Sequence, residues 1–170
     1  MKIQVREASG SDAANIADIY VTSFQSTYVG IIPEILLKAL SPAELISGWV
    51  TTIEPDNHTV FVAESEEGVI GFAHLGQNKD EDLAEEKQAM VELFELYFYP
   101  SNVNQGLGTQ MWGIIEESLI GKEIVLWTLE GNQPAHHFYI KHGFEQDKIH
   151  GEYSFQGQGF PKVRYRKLIT

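Results

Sequence analysis

The sequence lacks cysteine entirely over its 170 residues. This absence excludes disulfides, thiolate catalysis and zinc sites built on cysteine. The sequence also lacks any run of about eighteen apolar residues, which a helix would need to cross a bilayer. Its first residues carry charges where a secretory signal would need an apolar core. We therefore expect a cytoplasmic protein with no membrane partner.

Basic residues are scarce as well. There are 12 Lys and Arg against 24 Asp and Glu, which gives a formal net charge of −12. This charge argues against nucleic acid as the main partner, because an acidic surface repels phosphates. Hydrophobic residues make up 43% of the chain and aromatic residues 11%, which excludes intrinsic disorder. At this length we expect one domain over residues 1–170.

Hydrophobic periodicity predicts both strands and helices along the chain. Ser-x-x-Asp at 9–12 and Ser-Pro-x-Glu at 41–44 are typical helix starts. Two strand-like runs around Glu66-Glu67-Gly68 predict a hairpin. In chain order we expect a strand at 3–5, a helix from 9–12 to 24, a short apolar segment at 35–40, a helix from 42, strands at 59–65, 69–75 and 91–99, a helix at 107–119, a strand at 124–129, a helix at 134–141, and strands at 144–149 and 162–168.

The polar segment 77–90 is rich in acids, which predicts a solvated loop or a short exposed helix. A hairpin followed by a strand–helix–strand crossover predicts a mixed sheet covered by helices. The fold class is therefore α/β (α+β), with a mostly antiparallel sheet of six to seven strands flanked by about four helices.

A glycine-containing loop after the strand at 91–99 is the first candidate for chemistry. Pro100 ends that strand, and Gly106 and Gly108 stand where the next helix opens. Glycines let main-chain N–H groups approach a ligand, and the first turn of a helix presents unpaired N–H groups that suit a phosphate. A Walker loop would need a lysine before Thr109, and a dinucleotide fingerprint would need a glycine in place of Met111. A dinucleotide loop, a coenzyme A pyrophosphate loop and a plain helix start stay open.

A second group of candidate site residues follows the strand at 124–129. Asn132 precedes a short helix, and Tyr139 lies seven residues on, or about two helical turns. Both side chains can therefore face the same ligand. Gly143 is the expected end of this helix.

With these residues the sequence resembles the GCN5-related N-acetyltransferase (GNAT) superfamily. The resemblance rests on four motifs in the order the family has them: the strand–turn–strand at 61–72, Leu-Tyr-Phe-Tyr-Pro at 96–100, Gln-Gly-Leu-Gly-Thr at 105–109, and Asn-x6-Tyr-x3-Gly-Phe at 132–144. Residues 28–33 and 163–168 resemble a bacterial branch of the superfamily whose substrates are poorly defined.

The resemblance implies a GNAT fold and acetyl-CoA as co-substrate, without a metal. In the family, pantetheine pairs with the fourth strand, and the glycine loop holds the pyrophosphate. The implied cofactor-binding residues are Leu96, Tyr97, Phe98, Asn104, Gln105, Gly106, Leu107, Gly108, Thr109 and Asn132. Val103 departs from the family, which usually has Gln or Arg there. Gln105 is a candidate to replace that side-chain contact.

The resemblance also implies direct attack of a neutral amine on the thioester. Tyr139 would protonate the departing thiolate. Glu92 is the first choice for the general base, since many relatives have an acid at this position. Glu95, three residues along the strand, is expected on the opposite face of the sheet, so only one of the two should face the cleft.

The acceptor pocket of relatives forms on and after the first helix. Tyr28 is the better pocket candidate there, with Phe24 second, while helical spacing makes the core the simpler place for Phe24 and Tyr20. Trp49 and Trp127 are expected to pack. A metal site is not expected, because the adjacent His136 and His137 diverge on a helix. Either histidine could lie at the mouth of the cleft.

The expected function is N-acetylation of a primary amine of a small molecule, with a polyamine-like or other cationic amine favoured. The acids that lead into the fourth strand would attract such a cation. They are Asp80, Glu81, Asp82, Glu85, Glu86, Glu92 and Glu95. A solubilising loop explains them equally well. The alternatives are a non-catalytic acyl-CoA-binding module, a peptide or protein N-acetyltransferase and, less favoured, a dinucleotide-binding oxidoreductase. The resemblance also allows a homodimer.

Overall fold

The computed structural model describes residues 1–54, 58–86 and 90–170. These residues form seven strands and five α-helices. The strands are β1 Gln4–Glu7, β2 His58–Ser65, β3 Gly68–Gln77, β4 Met90–Phe98, β5 Glu123–Leu129, β6 Glu145–Phe155 and β7 Gln158–Leu168. The helices are α1 Ala13–Thr27, α2 Glu34–Lys38, α3 Pro42–Ile53, α4 Leu107–Glu117 and α5 Gln133–Lys141. Both predicted helix starts are confirmed to within a residue, with a 3-10 turn at Gly10–Asp12 before α1.

The strands form one mixed sheet in the order β1-β2-β3-β4-β5-β7-β6. All neighbours are antiparallel except β4 and β5, which are parallel and joined through α4. A parallel pair needs such a crossover, because its second strand must start again at the same end of the sheet. The predicted fold class is confirmed.

The parallel pair β4–β5 separates part of the way along. Its pairing runs from Met90 opposite Glu123 to Leu93 opposite Leu126 and ends there. Beyond this point β4 continues beside β3, while β5 continues beside β7. The two strands therefore open a cleft near the middle of the sheet.

A β-bulge interrupts β4 at the start of this cleft. His74 of β3 lies opposite Glu95, and the next residue, Leu75, lies opposite Leu93, so the pairing skips Phe94. An extra residue in one strand shifts the alternation of its side chains between the two faces. The prediction that Glu92 and Glu95 point to opposite faces is therefore wrong.

Helices cover both faces of the sheet. On one face, Met111 and Ile115 of α4 pack with Leu93 and Leu126 in the larger core cluster. On the other face, α1 and α3 pack on β2 and β3 through a cluster that contains Ile16, Ile19, Trp49, Val62 and Phe72. The helical spacing of the apolar residues of α1 thus buries them against the sheet.

The last hairpin is longer than predicted. Strands were expected to end at residue 149 and to restart at 162, but β6 runs to Phe155 and β7 begins at Gln158. The tight turn has Gln156 and Gly157 at positive φ (47° and 79°). Tyr153 and Phe155 of the added length pack on a cluster that includes Phe24 of α1. The hairpin therefore contributes to the same region as the first helix.

The acidic segment after β3 is only partly the exposed loop or helix that was predicted. A 3-10 turn spans Glu81–Glu86, but Leu83 is buried. Asp80 and Asp82 both accept hydrogen bonds from Arg164 of β7, which also bonds to Asp147. Because Arg164 is only 2% exposed, these acids neutralise a buried cation and hold the segment on the sheet. The side chains of Glu85 and Glu86 lie outside the described part.

Candidate active site

A cavity of about 650 Å³ opens where β4 and β5 separate. Residues of α1, of β4, of the loop that follows it, of the first turn of α4 and of α5 line its wall. It brings together nine of the ten predicted cofactor-binding residues, namely Leu96, Tyr97, Phe98, Asn104, Gly106, Leu107, Gly108, Thr109 and Asn132. Tyr139 lines the same cavity.

The edge of β4 presents main-chain groups to this cavity. The Tyr99 N–H donates to the Ile70 carbonyl on the β3 side, at 3.0 Å. Since successive N–H groups of a strand point to opposite sides, those of Leu96 and Phe98 point toward the cleft. The Phe98 carbonyl accepts from Ser23 Oγ of α1 at 2.7 Å. The strand edge can therefore bind an extended chain by main-chain hydrogen bonds.

The loop before α4 turns N–H groups toward the same cavity. Asn104 and Gly106 have φ of 61° and 76°, in the left-handed region. Gly106 ends the turn, and α4 begins at Leu107, so the first N–H groups of this helix have no partner within it. Together with the helix dipole they form a site for an anionic group. Gly108 allows the close packing of α4 on α5, because a Cβ there would lie 3.2 Å from the Phe138 ring.

The loop differs from the prediction at Gln105. Its side chain donates from Nε2 to the Ser101 carbonyl at 2.9 Å and is exposed. It is the one predicted loop residue that does not line the cavity in the described part of the chain. Val103, which stands where a polar residue was expected, lines the cavity and is 48% exposed. At Val103 the loop therefore presents an apolar side chain to the cavity in place of the expected polar one.

Asn132 and Tyr139 lie on one side of α5, as their spacing predicted. Asn132 Oδ1 caps the helix by accepting from the Ala135 N–H at 3.3 Å. The Tyr139 ring packs against Phe138 and Phe144, with centroid distances of 5.4 and 5.5 Å. Burial, followed by the charges of Tyr28 and Glu95, raises the pKa of Tyr139 well above its usual value. This tyrosine is therefore protonated at neutral pH.

A second cavity of about 200 Å³ adjoins the first, and Tyr97 lines both. Both Glu92 and Glu95 line it, as a result of the bulge at Phe94. Its other walls are mostly aromatic. The predicted pocket residues Phe24 and Tyr28 belong to them, as does Tyr20.

The aromatic residues of this second cavity touch one another. The Phe24 ring lies 4.5 Å from Tyr28 and 5.6 Å from Tyr20, and Tyr20 lies 5.9 Å from Tyr97. The hydroxyls of Tyr28 and Tyr97 are 3.3 Å apart. Sequence reasoning missed five residues of this cavity, namely Leu93, Phe94, Leu129, Lys162 and, from the extended hairpin, Tyr153. Alternation of Tyr153 with Phe155 was the signal that could have extended the strand.

Along β4, Glu92 is the residue of the second cavity farthest from Tyr97, and it is 8% exposed. It accepts a hydrogen bond from the Lys79 N–H at 3.2 Å. Burial raises the pKa of Glu92, and the charge of Asp80 adds to this, while Lys162 and Lys79 oppose it. Trp127 also lines this end, beneath Lys162, and donates from its indole N–H to Asp80.

Glu95 makes a different contact. Its Oε2 lies 2.6 Å from His74 Nδ1, and His74 Nε2 lies 2.9 Å from His58 Nδ1. Sequence reasoning missed both histidines. A histidine two residues after Phe72, on the buried face of a strand, was the available signal.

The remaining histidines of the sequence prediction lie elsewhere. His136 bonds to the Tyr165 hydroxyl at 2.7 Å and to the Glu130 carbonyl. Within residues 1–54, 58–86 and 90–170, no three His, Asp or Glu side chains are grouped as a metal site would need. No helix in this part of the chain is long and apolar enough to span a membrane.

Comparison with known proteins assigns a family to this geometry. Residues 56–146 match a family model described as an acetyltransferase (GNAT) domain. This range covers more than half of the chain and contains β2, β3, β4, β5, α4 and α5. The uncharacterised N-acetyltransferase YuaI of Bacillus subtilis (strain 168) is 31% identical over 141 residues, which is 81% of this chain and 77% of that protein.

Solved structures share the whole fold. The paiA N-acetyltransferase of Thermoplasma acidophilum, in complex with coenzyme A, has a TM-score of 0.72 at 21% identity and covers 99% of both chains. The yncA protein of Salmonella typhimurium, with acetyl-CoA, has a TM-score of 0.71 at 18% identity over 99% of this chain and 94% of that one. At these identities the likeness shows the fold.

Proposed function

The chain belongs to the GNAT family of acetyltransferases, and on this premise we propose that it transfers the acetyl group of acetyl-CoA to a primary amine of a small cationic molecule. The observation that carries this proposal is the meeting of two different cavities at Tyr97. The larger one offers main-chain N–H groups, and the smaller one offers carboxylates and aromatic rings.

The larger cavity fits acetyl-CoA. Pantetheine is an extended chain with two amides, and the open edge of β4 supports main-chain pairing with it through Leu96 and Phe98. The pyrophosphate fits the free N–H groups at the start of α4. This way of binding phosphates needs no basic side chain, so it is compatible with the net charge of −12. The Leu96 or Phe98 N–H can also stabilise negative charge that develops on the thioester oxygen.

The smaller cavity supports a cationic amine. Carboxylates attract an ammonium group, and tyrosine and phenylalanine faces stabilise it further. A volume of about 200 Å³ favours a small molecule over a peptide or protein chain. The Glu81 side chain is exposed, and Asp80 and Asp82 already pair with Arg164. The carboxylates that would attract the amine are therefore the two that line this cavity, Glu92 and Glu95.

Glu95 is the general base in this proposal, ahead of Glu92. It lies two residues before Tyr97 on β4, and Tyr97 lines both cavities, so Glu95 is the carboxylate nearer their junction along this strand. The charges that act on Glu92 are those of Asp80, Lys162 and Lys79, at the other end. Glu92 is thus suited to hold a cationic group of the acceptor.

The proton balance assigns the remaining roles. The bound ammonium gives one proton to Glu95, and the neutral nitrogen attacks the thioester carbonyl. The C–N bond forms as the C–S bond breaks, and Tyr139 gives its proton to the departing thiolate. The second proton of the nitrogen restores Tyr139. One proton per turnover goes to solvent.

A panel of acceptors tests this function. Release of the coenzyme A thiol is measured with acetyl-CoA and short diamines, arylalkylamines, amino acids and a basic peptide, and the acetylated products are identified by mass spectrometry. We expect turnover with small cationic amines and little with glutamate or the peptide. Tight acetyl-CoA binding with no turnover on any amine would instead support a binding module, and preference for the peptide would refute the small-molecule assignment.

A further inference from the structure

Two histidines outside the proposed chemistry connect Glu95 to the outer end of β2. His74 is in hydrogen-bond contact with Glu95 (2.6 Å) and with His58 (2.9 Å). The His74 ring is buried, with Trp49 and Phe94 at centroid distances of 5.6 and 4.7 Å. His58, the first residue of β2, is only half-buried. The three side chains form one hydrogen-bonded row from the cavity toward solvent.

This row fixes where its protons lie. An ionised carboxylate can only accept, so His74 donates to Glu95 from Nδ1. A neutral His74 then accepts at Nε2, and His58 donates from Nδ1. When His74 gains a second proton, at Nε2, the direction of that bond reverses and His58 becomes the acceptor. Because the Nε2 of His58 is the end of the row, His74 can exchange this proton with water through His58 while both hydrogen bonds persist.

We propose that His74 is a positioning residue for Glu95 and that His58 connects it to solvent, so that the two histidines set the pH range in which Glu95 acts as a base. The proposal rests on the proposed function, since it assigns that role to Glu95. Neutral His74 holds one carboxylate oxygen and leaves the other for the amine. Cationic His74 forms an ion pair with the carboxylate, which makes Glu95 a weaker base and slows transfer at low pH.

The surroundings of His58 favour its neutral form. Lys79 lies over the Phe94 ring, with Nζ 5.0 Å from the centroid. Burial, then the charges of His74 and Lys79, lower the pKa of His58, while Glu95 opposes them. The same cavity face also includes the titratable groups of Glu92, Lys162, Tyr20, Tyr28, Tyr97 and Tyr153. The tyrosines stay neutral, since burial raises their pKa values.

Two substitutions should both move the acid limb of the kcat–pH profile to lower pH. His74→Asn keeps an N–H donor near the position of Nδ1 but cannot become cationic. The low-pH limb of the kcat–pH profile should therefore move to lower pH by at least about one pH unit. His58→Leu removes the acceptor that holds the added proton of cationic His74. That charge-assisted bond is stronger than the bond of the neutral state, so this limb should also move to lower pH. His150→Gln, at an exposed histidine paired with Glu130, is the matched control and should leave the limb in place.

The experiment measures kcat against pH at saturating acetyl-CoA and amine. Coinciding profiles for all four proteins, a shift of either variant to higher pH, or a folded His74→Asn protein that is inactive at every pH would overturn the inference. Failure of the proposed function is distinguishable, because the unsubstituted protein would then release no thiol with any amine. In that case the ¹H–¹⁵N spectrum of the histidine rings still tests the hydrogen bonds of the row, since it needs no activity. We expect neutral His74 to be protonated at Nδ1, and protonation at Nε2 alone would overturn the inference.

Discussion

Replacement of Glu95 by glutamine removes the proposed base and little else. Glutamine has the same shape, and its carbonyl oxygen can still accept the hydrogen bond that His74 donates at 2.6 Å. It cannot take a proton from the acceptor amine. General base catalysis contributes roughly 10²- to 10⁴-fold to rate. At 1.36 kcal/mol per factor of ten, Glu95→Gln should raise the barrier by about 3–5 kcal/mol.

The assay compares kcat and KM for Glu95→Gln with those for Glu92→Gln. Glu92 lines the same cavity on the same strand, so it is the matched control. We expect Glu95→Gln to lower kcat at least about 100-fold with the affinity for acetyl-CoA unchanged. Glu92→Gln should mainly raise KM for the cationic amine. A near-normal kcat for Glu95→Gln, together with a large loss for Glu92→Gln, would refute the assignment of the base.

Three further predictions follow from other parts of the molecule. Tyr139→Phe should lower kcat by about 100-fold with little change in acetyl-CoA affinity, and an unchanged kcat would remove Tyr139 from the acid role. Gly106→Ala should cost about 1 kcal/mol in thermal unfolding and weaken acetyl-CoA binding, because Gly106 has a φ of 76°. Gly113→Ala, within α4 and with open space around its Cβ, should cause neither loss. Arg6 lowers the pKa of Asp12 to about 2, so the stability that this pair contributes is present above about pH 4 and is lost as the pH falls toward 2. Urea unfolding of Arg6→Met should show a smaller loss of unfolding free energy over that pH range.

Local sequence patterns were sufficient for most of the fold. Helix starts such as Ser41-Pro42, the hairpin turn at Gly68 and the period of each apolar run are set by near neighbours in the chain. The glycine loop and the Asn132–Tyr139 spacing were informative for the same reason. These residues act through one helix or one turn, whose geometry a short stretch of sequence specifies.

Features that depend on distant strands could not be predicted in this way. The bulge at Phe94 arises from how β4 pairs with β3, and it alone brings Glu92 and Glu95 to one cavity. The partners of Asp80 and Asp82 come from Arg164, more than 80 residues away, so the segment resembled a solvated loop. The contact of His74 with Glu95 likewise depends on strand register.

The central claim is that acetyl-CoA and a small cationic amine meet at Tyr97 and exchange an acetyl group. The most direct measurement counts both products of one reaction, the free coenzyme A thiol and the N-acetylated amine, with a short diamine as acceptor. We predict equal amounts of the two, formed at a rate that depends on the amine. Thiol release without acetylated amine, or at a rate the amine does not change, would contradict the claim.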